Sequence, residues 1–264
     1  MFEIERLADL AEQVARKAGE LLLNRPKSFD LDEKSGVFDF ATQMDHQSEA
    51  LIVSLIKEAR PEDGIFGEEG SALPSKSGLT WVIDPIDGTV NYLYDLPGWC
   101  VSIAVKHEGR AIVGVVYAPS LDLIWRGIRG RGATCNGSKI RCNDPVALDR
   151  ALIATGFAYD VERRVGQADL VNRLLPKIRD IRRTGSCALD ISLVASGSID
   201  GQFESGINEW DYAAAALIAS EAGAKVTVVE GIWNGAKSFT LVAGPTLHGA
   251  LSKELAPSLQ FPIS

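Results

Sequence analysis

The chain has 264 residues, 46% of them hydrophobic and 23% charged, with a formal net charge of −8. Such a composition excludes disorder and fibrous repeats and supplies a substantial core, in one large domain or two small ones. The negative charge disfavours non-specific binding to nucleic acid or anionic membranes, which need positive surface, but allows a phosphate ligand whose charge a metal offsets.

The opening residues, MFEIERLADLAEQ, are acidic and amphipathic, unlike a secretory signal. No apolar run reaches the ~18 residues of a membrane-spanning helix. Cys100, Cys135, Cys142 and Cys187 are scattered without a C-x-x-C pair, so they read as reduced thiols and the cytoplasm as the compartment.

Ile4, Leu7, Leu10, Ala11, Val14, Ala18 and Leu21 recur at helical spacing, which predicts an amphipathic helix over residues 4 to 24. A polar stretch from Ser28 to Thr42 follows, then a second helix from near Asp45 until Pro61 stops it. These two helices are expected side by side on one face of a sheet. Thr80 to Ile83, Trp99 to Lys106, Ala111 to Ala118 and Leu123 to Gly127 read as strands, with a hairpin loop at His107-Glu108-Gly109-Arg110. The second half alternates: strand near Leu152 to Thr155, helix near Gln167 to Arg179, and helix from about Cys187 to Ser196. Then come a short strand at Gln202 to Glu204, a helix from Asp211 to Ala222, strands at Lys225 to Val229 and Phe239 to Val242, and a helix from Thr246 to Leu255. No Pro/Ser-rich linker divides the halves, so α+β in one two-lobed unit is expected, with lobes of about 1–145 and 146–264.

Three segments carry acids where apolar runs end: Gly67-Glu68-Glu69, Asp84-Pro85-Ile86-Asp87-Gly88-Thr89 and Glu209-Trp210-Asp211. Hard divalent cations take such oxygen ligands. Pro85 and Gly88 bend the chain so that Asp84 and Asp87 can face one point, leaving the Ile86 carbonyl available as a ligand. The amides that open the turn after Gly88 suit a phosphate. Taken singly, each segment has a plainer reading: a turn, a solvated loop, and a helix N-cap at Asp211. Their joint occurrence, in this order, favours the metal reading.

Together they resemble the inositol monophosphatase family, within the superfamily that holds fructose-1,6-bisphosphatases and nucleotide 3′-phosphatases. The first signature stands here as W-V-I-D-P-I-D-G-T over Trp81 to Thr89, with Asn91 after it. The second stands as Trp210-Asp211-Tyr212-Ala213-Ala214 leading to Glu221-Ala222-Gly223-Ala224, and G-E-E at Gly67 to Glu69 and the stretch Asp39 to Asp45 accompany them. The match runs from about residue 5 to residue 250. The resemblance implies a layered α-β-α-β-α sandwich and a Mg²⁺-dependent phosphomonoesterase with two or three ions per site, usually a homodimer. By position, Glu68, Asp84 and the Ile86 carbonyl look like ligands of a first metal, and Asp84, Asp87 and Asp211 like those of a second. Glu68 also looks like the holder of a weaker third ion's water shell. Gly88 and Thr89 look like the phosphate-binding amides, and a Thr89–Asp45 pair like the one that orients the attacking water. Lys34 matches a family lysine near the metals.

For substrate, Gly185-Ser186-Cys187-Ala188 resembles the family turn that borders a polyol, with Ser186 and Cys187 in place of the usual Thr-Ala. Glu204 matches a glutamate that binds hydroxyls, work that Asp87 and Asp211 share. Cys187 has no histidine nearby in sequence and reads as a lining residue rather than a nucleophile. Arg182-Arg183 reads first as solvated surface. Gly127 to Gly137 lacks the G-x-G-x-x-G spacing of a dinucleotide site. Inositol 1-phosphate is therefore the leading substrate. Histidinol phosphate, fructose 1,6-bisphosphate, NADP and 3′-phosphoadenosine phosphate are alternatives, as is a regulatory binding protein on the same fold. Lithium sensitivity is a further implication of the resemblance.

Overall fold

The first apolar stripe folds as α1 (Ile4–Leu23), which buries Leu7, Ala11, Val14, Ala18 and Leu22 along one face. The computed structural model describes residues 4–36, 39–233 and 236–256. The polar stretch from Ser28 to Thr42 contains a hairpin of β1 (Leu31–Gly36) and β2 (Asp39–Thr42), with residues 37–38 of that stretch outside the described part. Thr42 is the N-cap of α2 (Gln43–Ala59), whose Asp45 carboxylate reaches back to the Thr42 backbone N–H.

An eight-stranded sheet follows, made of β3 (Gly64–Gly67), β4 (Ala72–Leu73), β5 (Leu79–Asp87), β6 (Cys100–His107), β7 (Arg110–Ala118), β8 (Leu123–Ile128), β9 (Gly132–Cys135) and β10 (Ser138–Lys139). A one-turn helix, α3 (Thr89–Leu93), leaves the end of β5. The strand order is β10-β9-β8-β7-β6-β5-β3-β4, and only β3 and β5 run parallel. The hairpin loop predicted between β6 and β7 holds, with Glu108 and Gly109 both at positive φ.

The remaining elements are β11 (Leu152–Thr155), α4 (Val161–Leu174), β12 (Asp180–Arg182), α5 (Cys187–Ala195), β13 (Gly201–Ser205), α6 (Glu209–Glu221), β14 (Lys225–Trp233), β15 (Ala236–Ala243) and α7 (Pro245–Leu255). Five of them form a second sheet, β12-β11-β13-β15-β14. Helix α4 starts six residues before the predicted Gln167, because Asp160 caps it by accepting from the Arg163 N–H at 2.9 Å. It cannot run to Arg179, because Pro176 lacks the N–H a helix interior needs; the chain turns there and enters β12.

Helices α1 and α2 pack on one face of the large sheet, and their core holds Leu7, Val14, Ile52, Trp81, Ile103 and Val115. Helices α5 and α6 fill the space between the two sheets through Ala188, Ile191, Ala214 and Ile218. On the far side, Leu170 of α4 and Leu247 and Leu251 of α7 cover Ile153, Phe203 and Leu241. The result is the layered α-β-α-β-α sandwich, each layer hiding the apolar face that the next one exposes. No helix among the described residues is long and apolar enough to cross a membrane.

Candidate active site

Asp84 and Asp87 are three residues apart, a spacing that points opposite ways in a regular strand. Here Asp84 pairs with Ser102 and Asp87 with Cys100, so β5 carries one residue more than β6. This bulge brings both aspartates toward one side of the sheet. The Ile86 N–H donates to Asp84 Oδ1 at 3.0 Å and Ser48 Oγ donates to the Pro85 carbonyl at 3.2 Å, which hold the bulge in shape. Gly88 follows at φ 97°, and a Cβ there would stand 2.8 Å from the Gly98 carbonyl oxygen, so both backbone angle and space demand glycine.

Asp211 arrives from the other side of the sandwich, on the first turn of α6, where its Oδ2 accepts from the Asn208 N–H at 2.5 Å. Asp45 does the same on α2: Oδ2 takes the Thr42 N–H at 2.7 Å and the Thr42 hydroxyl at 2.6 Å, while Oδ1 faces the Thr89 hydroxyl. In both helices one oxygen ties down the N-terminus and the other is left for the site.

Glu68, Asp84 and Asp211 each present an oxygen within 4.8 Å of the others. Burial pushes Asp84 and Asp211 well above the usual carboxylate range, and the charges of Glu68 and Asp87 add to it in both. Burial also raises Glu68, against the opposing pull of Lys34, which donates to Glu68 at 2.8 Å and to Glu69 at 2.5 Å. Three converging carboxylates, Asp84 buried and Glu68 and Asp211 half-buried, with one amine against their edge are unfavourable unless a cation enters. An all-oxygen donor set of this kind fits a hard divalent ion such as Mg²⁺.

The Asp87 carboxylate stands outside that trio. It accepts from Ser186 Oγ at 2.7 Å, the Ala188 N–H at 2.6 Å and the Cys187 N–H at 3.3 Å, at the start of α5. Burial raises its pKa to about 6, and those hydrogen bonds hold it from rising further.

These groups open on a cleft of about 850 Å³ lined by Lys34, Glu68, Asp87, Arg183, Cys187 and Glu204, among others. Thr89 Oγ1 lies 3.0 Å from Asp45 Oδ1 and 3.1 Å from the Ile86 carbonyl oxygen. Burial and the Glu204 charge push the Cys187 thiol well up, opposite to what a nucleophile needs.

A model of the inositol monophosphatase family matches residues 3–262. The chain belongs to that family. Relatives include the Escherichia coli K12 protein named Nus factor SuhB, 38% identical over 242 residues, covering 90% of this chain and 91% of that protein. The Mycobacterium tuberculosis inositol-1-monophosphatase SuhB is 36% identical and covers 98% of this chain and 94% of its own. Among solved structures, SuhB of Bartonella henselae superposes with TM-score 0.88 at 30% identity, covering 95% of this chain and 98% of that one. The Anabaena inositol monophosphatase gives 0.83 at 32%, covering 99% of each. The protein is thus a phosphatase, a phosphoric monoester hydrolase of a metal-dependent family.

Within this phosphatase, the two arginines read alike in sequence have different places. Arg182 pairs with Asp180 on the surface at 2.6 Å, whereas Arg183 lines the cleft. Glu49, absent from the motif reading, and Asn91, which the motif holds without a role, also support the site. Glu49 Oε2 accepts from the Glu69 N–H at 2.8 Å and Oε1 from the Ser71 N–H at 3.0 Å, bracing the turn that carries Glu68. Asn91 donates to the Thr184 carbonyl at 2.7 Å and joins α3 to the loop before α5. Their only signal in sequence is an acid on an apolar-facing helical position and an amide next to a glycine-turn motif, and neither is specific.

Proposed function

We propose that the chain hydrolyses a small polyol phosphate, first of all inositol 1-phosphate, with Mg²⁺ as cofactor and two or three ions at the site. The observation that carries this reading is the convergence of Glu68, Asp84 and Asp211 from two layers at one end of a cleft whose wall holds Glu204 and Asp87.

Bound cations would polarise the phosphoryl oxygens and acidify water, the chemistry that a carboxylate cluster lacks by itself. Glu68, Asp84, Asp87, Asp211 and the Ile86 carbonyl are the proposed ligands. The amides of Gly88 and Thr89 receive phosphate oxygens. Thr89 Oγ1 accepts a hydrogen bond from the attacking water and so fixes its direction, while its own hydroxyl hydrogen is donated to Asp45 Oδ1. Glu204, Asp87, Asp211, Ser186 and Cys187 border the substrate hydroxyls, for which carboxylates are strong acceptors. Water attacks phosphorus and gives up a proton to solvent, the phosphorus–alkoxide bond breaks, and the alkoxide takes a proton from solvent to leave as the alcohol.

Phosphate release from a panel of inositol 1-phosphate, histidinol phosphate, fructose 1,6-bisphosphate, NADP and 3′-phosphoadenosine phosphate, with and without Mg²⁺, tests the reading. Highest kcat/KM for inositol 1-phosphate is expected, and a preference for histidinol phosphate would overturn it. The name of the 38% identical Escherichia coli relative, Nus factor, supports a second reading in which the chain also binds a macromolecular partner. Such a partner would co-purify equally with the wild type and with Asp84→Asn. A homodimer is part of the proposal, and sedimentation in solution tests it.

A further inference from the structure

Glu204 is the least expected acid in the cleft wall, because it stands on β13 with the centre of a sheet behind it. Its carboxylate lies flat against Gly156, just beyond the end of the neighbouring strand β11. A Cβ added at Gly156 would fall 1.9 Å from Oε1, 2.3 Å from Cδ and 2.7 Å from Oε2. The backbone of Gly156 does not need positive φ, so glycine is required there for space alone. On the other side, Cys187 and Gln202 stand close enough to the Glu204 carboxylate to draw its pKa down against burial. Gln202 Nε2 also reaches Cys187 Sγ at 3.8 Å, and Gln202 Oε1 accepts from Thr240 Oγ1 at 3.2 Å. Gln202 and Thr240 are fully buried, so this side of the seat is rigid.

A carboxylate serves as a selective hydroxyl acceptor only if its orientation is fixed beforehand; one free to rotate spends binding energy on being ordered. We infer that Gly156, Cys187 and Gln202 form a seat that fixes the Glu204 carboxylate, and that Gly156 and Cys187 are thereby specificity-determining positioning residues for hydroxyl-bearing phosphates. This rests on the reading of Glu204 as a hydroxyl acceptor. A methyl group at position 156 would swing the carboxylate out of its seat without touching Glu68, Asp84 or Asp211. Alanine at position 187 would remove the thiol that stands beside the carboxylate. Burial and the Asp87 charge raise Glu204 to about 7, with Arg183, Cys187 and Gln202 pulling the other way.

The test is the ratio of kcat/KM for inositol 1-phosphate to that for phenyl phosphate, which has no hydroxyls, in Gly156→Ala, Cys187→Ala, Glu204→Ala and the Gly156→Ala/Glu204→Ala double variant. The expected ratio falls about ten-fold in Gly156→Ala and in Glu204→Ala, the scale of one charge-assisted hydrogen bond. It falls about three-fold in Cys187→Ala and no further in the double variant than in Glu204→Ala. A loss in Glu204→Ala with unchanged ratios in Gly156→Ala and Cys187→Ala overturns the seat alone. An unchanged ratio in Glu204→Ala overturns the hydroxyl reading and the seat with it. Equal extra loss from Gly156→Ala in both backgrounds shows general damage and also overturns the seat. Cys187→Ala shortens a buried side chain without crowding it, so it carries the test if the alanine at 156 prevents folding.

Discussion

Thr89 Oγ1 and Asp45 Oδ1 are 3.0 Å apart, although they stand 44 residues apart in sequence and on different helices. The hydroxyl donates, the carboxylate accepts, and Asp45 is anchored by two further hydrogen bonds from Thr42. Burial raises the Asp45 pKa, and the bonds from Thr42 and Thr89 oppose that rise. A rigid acceptor behind a hydroxyl is what orienting a water molecule requires.

The first prediction concerns this pair. Thr89→Ala and Asp45→Asn are each expected to lower kcat by roughly 10²- to 10³-fold with a smaller change in KM. The double variant should be little worse than either single one, because the two act as one unit. Steady-state kinetics on the three proteins decides, and independent, multiplying losses would speak against the pair.

Asp84 is expected to separate activity from stability. Asp84→Asn should remove turnover by roughly 10³-fold or more, because a ligand to the cation and one orienting charge are lost. It should also raise Tm in EDTA, since a carboxylate buried beside Glu68, Asp87 and Asp211 is replaced by a neutral amide. Melting curves and phosphate release check both halves; full activity in this variant would remove Asp84 from the site.

The pH dependence follows from the raised carboxylates. Asp87 stands at about 6 against an ordinary 3.8, and Glu204 at about 7 against 4.5. The folded chain therefore binds these protons more tightly than the unfolded one. Their contribution to stability is full below about pH 4 and is lost as pH climbs through 6 to 7. A cation competes with those protons, so the rise in Tm on adding Mg²⁺ over EDTA should be larger at pH 7.5 than at pH 5. Equal increments at the two pH values would contradict it.

Glu49 is the test of support behind the ligands. Glu49→Gln keeps one acceptor but turns an amine toward the Glu69 or Ser71 N–H, leaving a buried donor without a partner. A loss of about 2 kcal/mol in unfolding free energy is expected. The Mg²⁺ concentration for half-maximal activity should rise roughly ten-fold, as is usual when the partners behind a metal ligand are disturbed. Denaturant titration and a Mg²⁺ activation curve measure the two effects.

The outline of the site is legible in sequence because its central segment is local. Within six residues, Asp84 to Thr89 contain the bulge, the glycine turn and the start of α3, and backbone geometry alone decides how they bend. The periodicities of α1, α2, α5 and α7 are equally local, which is why their positions agree with expectation to within a few residues. The start of α4 and the strand β12 went unread because a cap at Asp160 and pairing of Asp180 to Arg182 with β11 outweigh short-range propensity.

What only the tertiary structure decided is which oxygens meet. Asp211 joins Glu68 and Asp84 because α6 is packed between two sheets; Asp87 turns to the start of α5, 101 residues away, because that helix offers it free N–H groups. Arg183 faces the cleft and Arg182 the solvent, a difference of one residue that a strand edge sets. Gly156 lies under Glu204 because two parallel strands are neighbours. Sequence by itself determined the reacting groups, since their types and order are written in short motifs. The packing of layers determined their partners, since hydrogen bonds and like-charge repulsion depend on ångström distances between segments far apart along the chain.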